Sequence, residues 1–569
     1  MLNRMRRRTE PDDASSKDAG TRRRSWNDGL FYELQLNGPA PDRLNLNVDD
    51  PYKPDTEEAD AFLALYQQEE QHISSLDTHK DGFLSPWKTA APGSLQYHRL
   101  QTFLWLPGLA ARGDNARQVA RAMVDGWLTL HGRFSPDAWG PRLVSDRLWQ
   151  LARHGSWLLQ GSDALWRSRV LTSMARQTRH LGKAVSRVED PVERLFCAMT
   201  LSLMGLGLPH HRVCEEQGST LLRRELRLQL RADGGHISRN PSLQLKIAAS
   251  LQSLLTTYRT LNVPPPNYLH HAVGRTTDMV EFFRCGDGRI AVFNDGTEDD
   301  PKALAAVLAF DSIGRNRIDF ASQSGYQRLS GARSFLYVDT GTSALSQREA
   351  RERQRSSCVY DGAFAIQFSS GRQRIITNCG AAKALVTSNA GLDVHAYQEW
   401  RQALARPDAH STLCIENELS GQQTGSAEER VYHHLEEDRQ GQLLELERMG
   451  LTGAPGCTHR RRLFLSVDGD DLRGEDILIP PAGERSPAWC LRFHLYPTIR
   501  VSLSRDGRSV ILATPQNEGW RFIAGDALIS LERSIYCGAP GPVQKTEQIV
   551  VRPRKSDANI KQVKWAFKK

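Results

Sequence analysis

The densest run of side chains able to do chemistry is Gly235-His236-Ile237-Ser238-Arg239-Asn240-Pro241. An arginine can form a charge-assisted hydrogen bond to a carboxylate, worth roughly 1.5–3 kcal/mol. A histidine can act as a base near neutral pH or sit as a hydrogen-bonded structural ring. An asparagine before a proline can offer its amide to a ligand, or cap a helix whose first position is Pro241. Both readings stand for His236 and for Asn240, and a capping Asn240 still permits Arg239 to bind. Other signals lead away from familiar chemistries. His210-His211, His270-His271 and His433-His434 are adjacent pairs, and neighbouring residues on a helix or strand do not face one metal ion. The nine cysteines are scattered singly with no CxxC pair, which argues against a zinc ribbon or a disulfide framework. No GxxxxGK[ST], strand-linked GxGxxG or GxSxG occurs. Arg460, Arg461 and Arg462 enter a strand pattern and so alternate faces.

These residues need elements to hold them. From about Gln96 to Arg284 apolar residues recur at helical spacing, as in Val119, Met123, Trp127 and Leu130. Breakers such as Ser135-Pro136, Gly161-Ser162 and Pro264 to Pro266 divide the stretch into amphipathic helices. Their stripes must bury one another, and a bundle, a solenoid or an α/α toroid would do this. After Asp287-Gly288 the period becomes two. RIAVFN, SFLYVD, AFAIQF, RLFLSVDG and WRFIAG are short and rich in β-formers, and Asp468-Gly469 and Asp506-Gly507 are turn pairs. Eleven or more strands without intervening helices predict an antiparallel sandwich or stacked sheets. The expected order is a disordered basic arm over 1–28, a helical domain over 29–286 and a β domain over 287–569. The charged run from Gln347 to Ser357 is expected to be a loop.

At 569 residues the chain exceeds one ordinary core, so two or three domains are expected. With 39% hydrophobic and 25% charged residues it has a globular, not a disordered, composition. No apolar run is long enough to span a bilayer, so no transmembrane segment is expected. The start is basic but has no apolar stretch behind it, unlike a standard signal peptide. A cytoplasmic, reducing location is therefore expected. The net charge of +8 admits an anionic glycan, nucleic acid or lipid as partner. Nucleic acid ranks last, because aromatics and basic residues do not interleave in one stripe.

Several segments together resemble a known family. RADGGHISRNPSLQLKIAASLQSLL is similar to the heparinase II/III-like segment that reads roughly "DGGHFERSPMYH" and opens a long helix. GDGRIAVFNDG, SGYQRLSGARSFLYVDTG, GAFAIQFSSGRQRIITNCG and AHSTLCIEN resemble that family's C-terminal domain in order and spacing. HRRRLFLSVDGDDLRGEDIL, RFHLYPTIRVSLSRDG and NEGWRFIAG resemble a bacterial subgroup of it. The resemblance covers about Gln96 to the C-terminus. It implies an incomplete α/α toroid followed by antiparallel sheets, with a glycan cleft between them and β-elimination on a uronic-acid polysaccharide. It also makes the periplasm or cell envelope the alternative location.

Elimination requires a group that neutralises the uronate carboxylate, a base for the α-proton and an acid for the leaving oxygen. The resemblance, followed position by position, shows changes. Val192-Glu193 stand where active enzymes tend to have Asn-His. Leu243 stands where the family has Tyr, and Tyr360 where it has a β-domain His. The resemblance thus implies Tyr360, Asn240 and His236 as the remaining catalytic candidates, with Arg239 and Tyr326 binding substrate. It requires no cofactor. Asn378 replaces a metal-binding Asp and His410 matches the accompanying His, so a structural divalent ion is a possible addition. The alternative for His410 is a core hydrogen bond. Two functions follow from the family: a lyase for an anionic glycan, or a catalytically impaired glycan-binding or cell-envelope biogenesis protein of the same fold.

Overall fold

The computed structural model describes residues 31–73, 85–310, 318–341, 360–386, 394–416, 431–554 and 561–569, apart from 47, 53, 55, 452 and 540. The expected basic arm and the expected loop at 347–357 lie outside the described residues.

The N-terminal part is helical. Its long helices are Asp114–His131, Pro141–Leu159, Ala164–Ala184, Pro191–Gly207, Arg212–Gln229, Pro241–Thr260 and Asn267–Phe282. Local chemistry starts several of them. Asp163, Asp190 and Asn240 accept hydrogen bonds from the backbone N–H three residues on, and Pro141, Pro191 and Pro241 open their helices. Val119, Met123 and Trp127 are buried as their spacing predicts, while Leu130 is largely exposed. The Pro191–Gly207 helix is buried nearly all round and packs on the Pro141–Leu159, Ala164–Ala184, Arg212–Gln229 and Pro241–Thr260 helices. It approaches Arg212–Gln229 closely because Gly205 and Gly218 lack side chains: a Cβ on Gly205 would lie 2.2 Å from Glu215 N, and one on Gly218 2.4 Å from Ser202 N. No helix among the described residues is long and apolar enough to cross a membrane.

The C-terminal part is built from strands β1 (Phe320–Ala321), β2 (Tyr326–Ser330), β3 (Ser334–Asp339), β4 (Ile366–Ser370), β5 (Gln373–Thr377), β6 (Leu413–Ile415), β7 (Val431–Glu437), β8 (Gly441–Leu451), β9 (Ala454–Ser466), β10 (Asp471–Ile479), β11 (Trp489–Leu495), β12 (Arg500–Leu503), β13 (Ser509–Ala513), β14 (Gly519–Gly525), β15 (Ala527–Tyr536), β16 (Gln544–Pro553) and β17 (Lys561–Lys568). One sheet runs β1-β2-β3-β4-β5-β11-β16-β15, with β6 also on β11; the other runs β12-β13-β14-β17-β10-β9-β8-β7. The named strand pairs are antiparallel. The inward residues of both sheets, among them Leu336, Phe368, Leu463, Leu472, Phe493 and Phe567, form one apolar core.

Three expectations need correction. RIAVFN is not a strand. Ile290, Ala291, Val292 and Phe293 are fully buried in a connecting segment, where Glu298 O, Phe283 O and the Gln367 side chain accept their N–H bonds. A buried apolar run does not by itself choose strand over loop. Helices also occur inside the β half: Pro301–Ala309 packs back onto Pro241–Thr260, and Lys383–Val386 and Val394–Leu404 lie between β5 and β6. Finally, β7, β8, β10, β16 and β17 carry so many charged outward residues that they are easily passed over in the sequence. Among the described cysteines all are free.

Candidate functional site

The segment after the Arg212–Gln229 helix is a latch between the two halves. Asp233 Oδ2 accepts from the N–H groups of Gln323 and Ser324 at 3.1 and 2.7 Å, and its Oδ1 accepts from Ser324 Oγ at 2.7 Å. Gly234 has φ +88 and faces Arg275 O, where a Cβ would come within 2.2 Å; a Cβ on Gly235 would lie 1.9 Å from Ser324 Oγ. Gly234 lets the turn lie against the Asn267–Phe282 helix, and Gly235 lets it touch the β domain. Arg239, at φ 58, donates from Nε to Ser324 O and from Nη2 to Gly325 O, both at 2.9 Å, and pairs with Asp339 at the end of β3. Its guanidinium lies 4.8 Å from the centre of the Tyr326 ring, and Tyr326 Oη donates to Arg239 O at 2.6 Å.

The latch relocates three expected site residues. Arg239 and Tyr326 are buried in it. His236 is 2% exposed, and its two ring nitrogens meet Ser238 Oγ at 2.8 Å and Gln229 Oε1 at 3.0 Å. Arg239 and Tyr326 spend these bonds on the junction, whereas His236 spends its ring nitrogens within the helical half. Asn240 caps its helix, with Oδ1 accepting from Leu243 N at 3.0 Å. Asn378 and His410 do not fit a divalent ion. The Asn378 amide accepts from Ser411 N and donates to Val292 O, and His410 Nδ1 bonds Arg406 O. Among the described residues no group of three His, Cys, Asp or Glu side chains converges as a metal site.

Polar groups also gather beside the latch. In the helical half, Val192 and Phe196 are one turn apart on one helix, and Leu243 and Lys246 are one turn apart on another that packs against it. Lys246 Nζ lies 4.9 Å from the Phe196 ring centre and the Arg142 guanidinium 5.5 Å from it. Arg142 Nε donates to Asp146 Oδ2 at 2.6 Å. Lys246 keeps contact with solvent. Lost hydration, reinforced by Arg142, Arg153 and Lys383 and opposed by Asp146, brings its ammonium down to about 8. Burial likewise raises the Glu193 carboxyl, with Arg142 opposing and Asp190 and Asp146 adding.

Further polar groups come from the connecting segment and the β half. Lys383 Nζ donates to Ser242 Oγ at 2.6 Å, next to Leu243. Asp295 and Asp299, both with positive φ, face Lys383. Burial raises both carboxyls; Lys383, Arg401 and Tyr360 oppose the shift at Asp295, and Lys383, Ser242 and Thr297 oppose it at Asp299. Tyr360 is half-buried against Asp295 and His410, 6.4 Å from the latter ring. The structure therefore brings together the positions of Val192-Glu193, Leu243 and Tyr360, with polar groups around them.

Lys246, Arg142, Asp146, Asp295, Asp299 and Lys383 were missed in the sequence. Lys246 alone left a signal, since it stands three residues after Leu243 on the same helical face. The others arrive from separate elements. A concavity, about 460 Å³, lies on the outer face of the second sheet, against Arg462, Phe464, Arg473, Glu475, Ile523 and Lys564. It is far from this chemistry in topology, and its cations already pair with Glu445, Asp471 and Glu475.

Comparison with known proteins agrees with this architecture. Residues 314–566 match the family described as heparinase II/III-like, C-terminal. FtsZ-localized protein C of Caulobacter vibrioides is 27% identical over 574 residues, covering 97% of this chain and 94% of its own length. Heparinase III has the same fold with a TM-score of 0.69 at 13% identity, covering 98% of this chain and 92% of that one. The chondroitin AC lyase of Streptomyces coelicolor A3 gives 0.52 at 11% identity, covering 96% and 82%. Residues 314–566 are thus a heparinase II/III-like C-terminal domain, joined to an N-terminal helical region in the fold of heparinase III and chondroitin AC lyase.

Proposed function

We propose that this chain holds a polysaccharide in the cleft between its two halves without cleaving it by elimination, and serves in cell-envelope biogenesis linked to division. The carrying observation is the pair of aliphatic side chains, Val192 and Leu243, at two positions where the family resemblance calls for Asn and Tyr. An aliphatic group can neither neutralise a uronate nor move a proton, and a missing acid or base typically costs about 10²–10⁴ in rate. His236 and Asn240 do not replace them, since one is enclosed and the other is capping a helix. Arg142, Lys246, Lys383 and Tyr360 would supply the polar lining that a binding protein needs. The likeness to FtsZ-localized protein C over nearly the whole of both chains supports the link to division.

The test is incubation with uronate polysaccharides, followed by absorbance of the unsaturated uronate and by binding calorimetry. Binding with no new absorbance is expected. Sustained growth of that absorbance, abolished in Tyr360→Phe, would instead establish a lyase that uses Tyr360.

A further inference from the structure

We propose that the 460 Å³ concavity on the outer face of the second sheet docks an acidic protein segment. An aliphatic side chain of the partner sits on its floor, and the carboxylates flanking that side chain meet its cations. The strand registers build this face in rows. Leu443 stands opposite Phe464, Phe464 opposite Arg473, Arg473 opposite Ala566, and Ala566 opposite Ile523, so one row crosses from β8 to β14. All of it is apolar except Arg473, whose guanidinium lies 5.8 Å from the Phe464 ring centre. Ile523, at the far end, is 37% exposed. The row on one side runs Glu445, Arg462, Glu475, Lys564 and then Gly525, which adds no side chain and leaves that end open. The row on the other side holds Asp471, Lys568 and Arg521. An apolar floor between two charged rows is thus written into the pairing of the strands.

The charges on these rows do not cancel. Glu475 is shared by Arg462 at 3.6 Å and Lys564 at 3.3 Å, and Asp471 by Arg473 at 2.5 Å and Lys568 at 3.8 Å. Glu445 pairs with Arg462, and Arg521 brings the cations to five against three carboxylates. Exposed ion pairs of this kind are worth little and are readily exchanged, so an incoming carboxylate can take up the excess positive charge. The floor selects among anionic partners. A polysaccharide has no aliphatic side chain to place on Phe464, Ala566 and Ile523, and a flat lipid surface does not enter a concavity. A protein segment with an aliphatic residue among glutamates or aspartates supplies both contacts. This face lies on the second sheet alone, so the inference stands apart from the glycan reading of the junction between the halves.

The experiment uses the full chain and a fluorescein-labelled peptide in which glutamates flank a central leucine, read by anisotropy. Two counterparts carry lysines for the glutamates or serine for the leucine. Each counterpart should bind about ten-fold or more weakly, as should the glutamate–leucine peptide to Lys564→Glu or Ile523→Asp. Lys302→Glu, the same charge change on an exposed site of the helical half, should leave binding unchanged. Lys564 and Ile523 are exposed, so the variants should melt with the native chain, and a matched melting curve accompanies each titration. Absence of binding by the glutamate–leucine peptide overturns the proposal. So does a serine counterpart that binds equally well, or affinity unchanged in Lys564→Glu or Ile523→Asp. Displacement of the peptide by tetragalacturonic acid as effectively as by unlabelled peptide would show a seat for any anion and would also overturn it.

Discussion

Arg239 and Asp339 stand 100 residues apart in the chain and form one buried ion pair where the helical and β halves meet. Asp339 also accepts from Gly341 N at 3.0 Å and from Asn294 Nδ2 at 3.3 Å. The pair thus ties together the turn before a helix, the connecting segment and the end of β3. Removing one partner leaves the other charge buried. Arg239→Met is expected to destabilise the chain by about 3–5 kcal/mol. Urea unfolding at neutral pH measures this, and a midpoint within error of the native chain would show that the pair does not hold the halves together.

Gly235 gives a second test of the same junction. Its missing Cβ leaves room for Ser324 Oγ, which bonds Asp233. Gly235→Ala should cost about 1–3 kcal/mol through overpacking. Gly235→Ala in a Ser324→Gly background should recover part of the loss, because the clashing hydroxyl is gone. Equal losses in the single and double variants would place the strain elsewhere.

Between the two sheets, Asp476 is fully enclosed. It accepts from Arg461 Nε at 2.6 Å and from Trp565 Nε1 at 2.8 Å, and bonds His459 Nε2 at 2.7 Å. Arg461 holds its carboxyl down at about 2 against a burial effect that would raise it. Asp476→Asn leaves Arg461 buried without a counter-charge and should cost about 3–5 kcal/mol. The sign with pH follows: a carboxyl depressed on folding stabilises above its unfolded value and loses that contribution as pH falls towards 2. The acid limb of a stability–pH curve below pH 4 should therefore be shallower in the variant than in the native chain.

Buried histidines, His180 and His494 among them, set an earlier acid limb. His180 is held at about 4 and His494 at about 3, chiefly by burial. His180 bonds Tyr32 Oη and Trp139 O, and His494 bonds Ser534 Oγ and Asp408 O. Both pKa values are depressed on folding, so the unfolded chain takes up protons first. Stability should be complete above about pH 6.5 and decline as pH falls towards 4, by a few kcal/mol per group. His494→Gln should flatten this decline, as read from urea midpoints between pH 7 and 4. An unchanged slope would mean that His494 does not carry it.

The fold was legible to different depths. The helix start at Asn240, and turns at Asp468-Gly469 and Asp506-Gly507, are local, since a cap or turn involves residues a few positions apart. Gly469 and Gly507 do take positive φ as such turns require. RIAVFN misled because burial on all sides leaves no alternation to distinguish a strand from a segment threaded through the core. For the site, Tyr360, Val192 and Leu243 were named from the resemblance alone. Arg239, His236 and Tyr326 have residue types suited to substrate, but a polar residue at an interface of domains can equally spend its hydrogen bonds on the neighbouring domain.

What the sequence determined by itself was the division into helical and β halves and the direction of most apolar stripes. These depend on periodicity and residue identity, which the chain carries along its length. Tertiary structure decided which polar groups face the cleft. Lys246 and Arg142 meet over Phe196, and Lys383 meets Asp295 and Asp299, only because separate elements pack with one geometry. Hydrogen bonds and charges act over a few ångströms, and nothing in local sequence encodes proximity between residues a hundred positions apart.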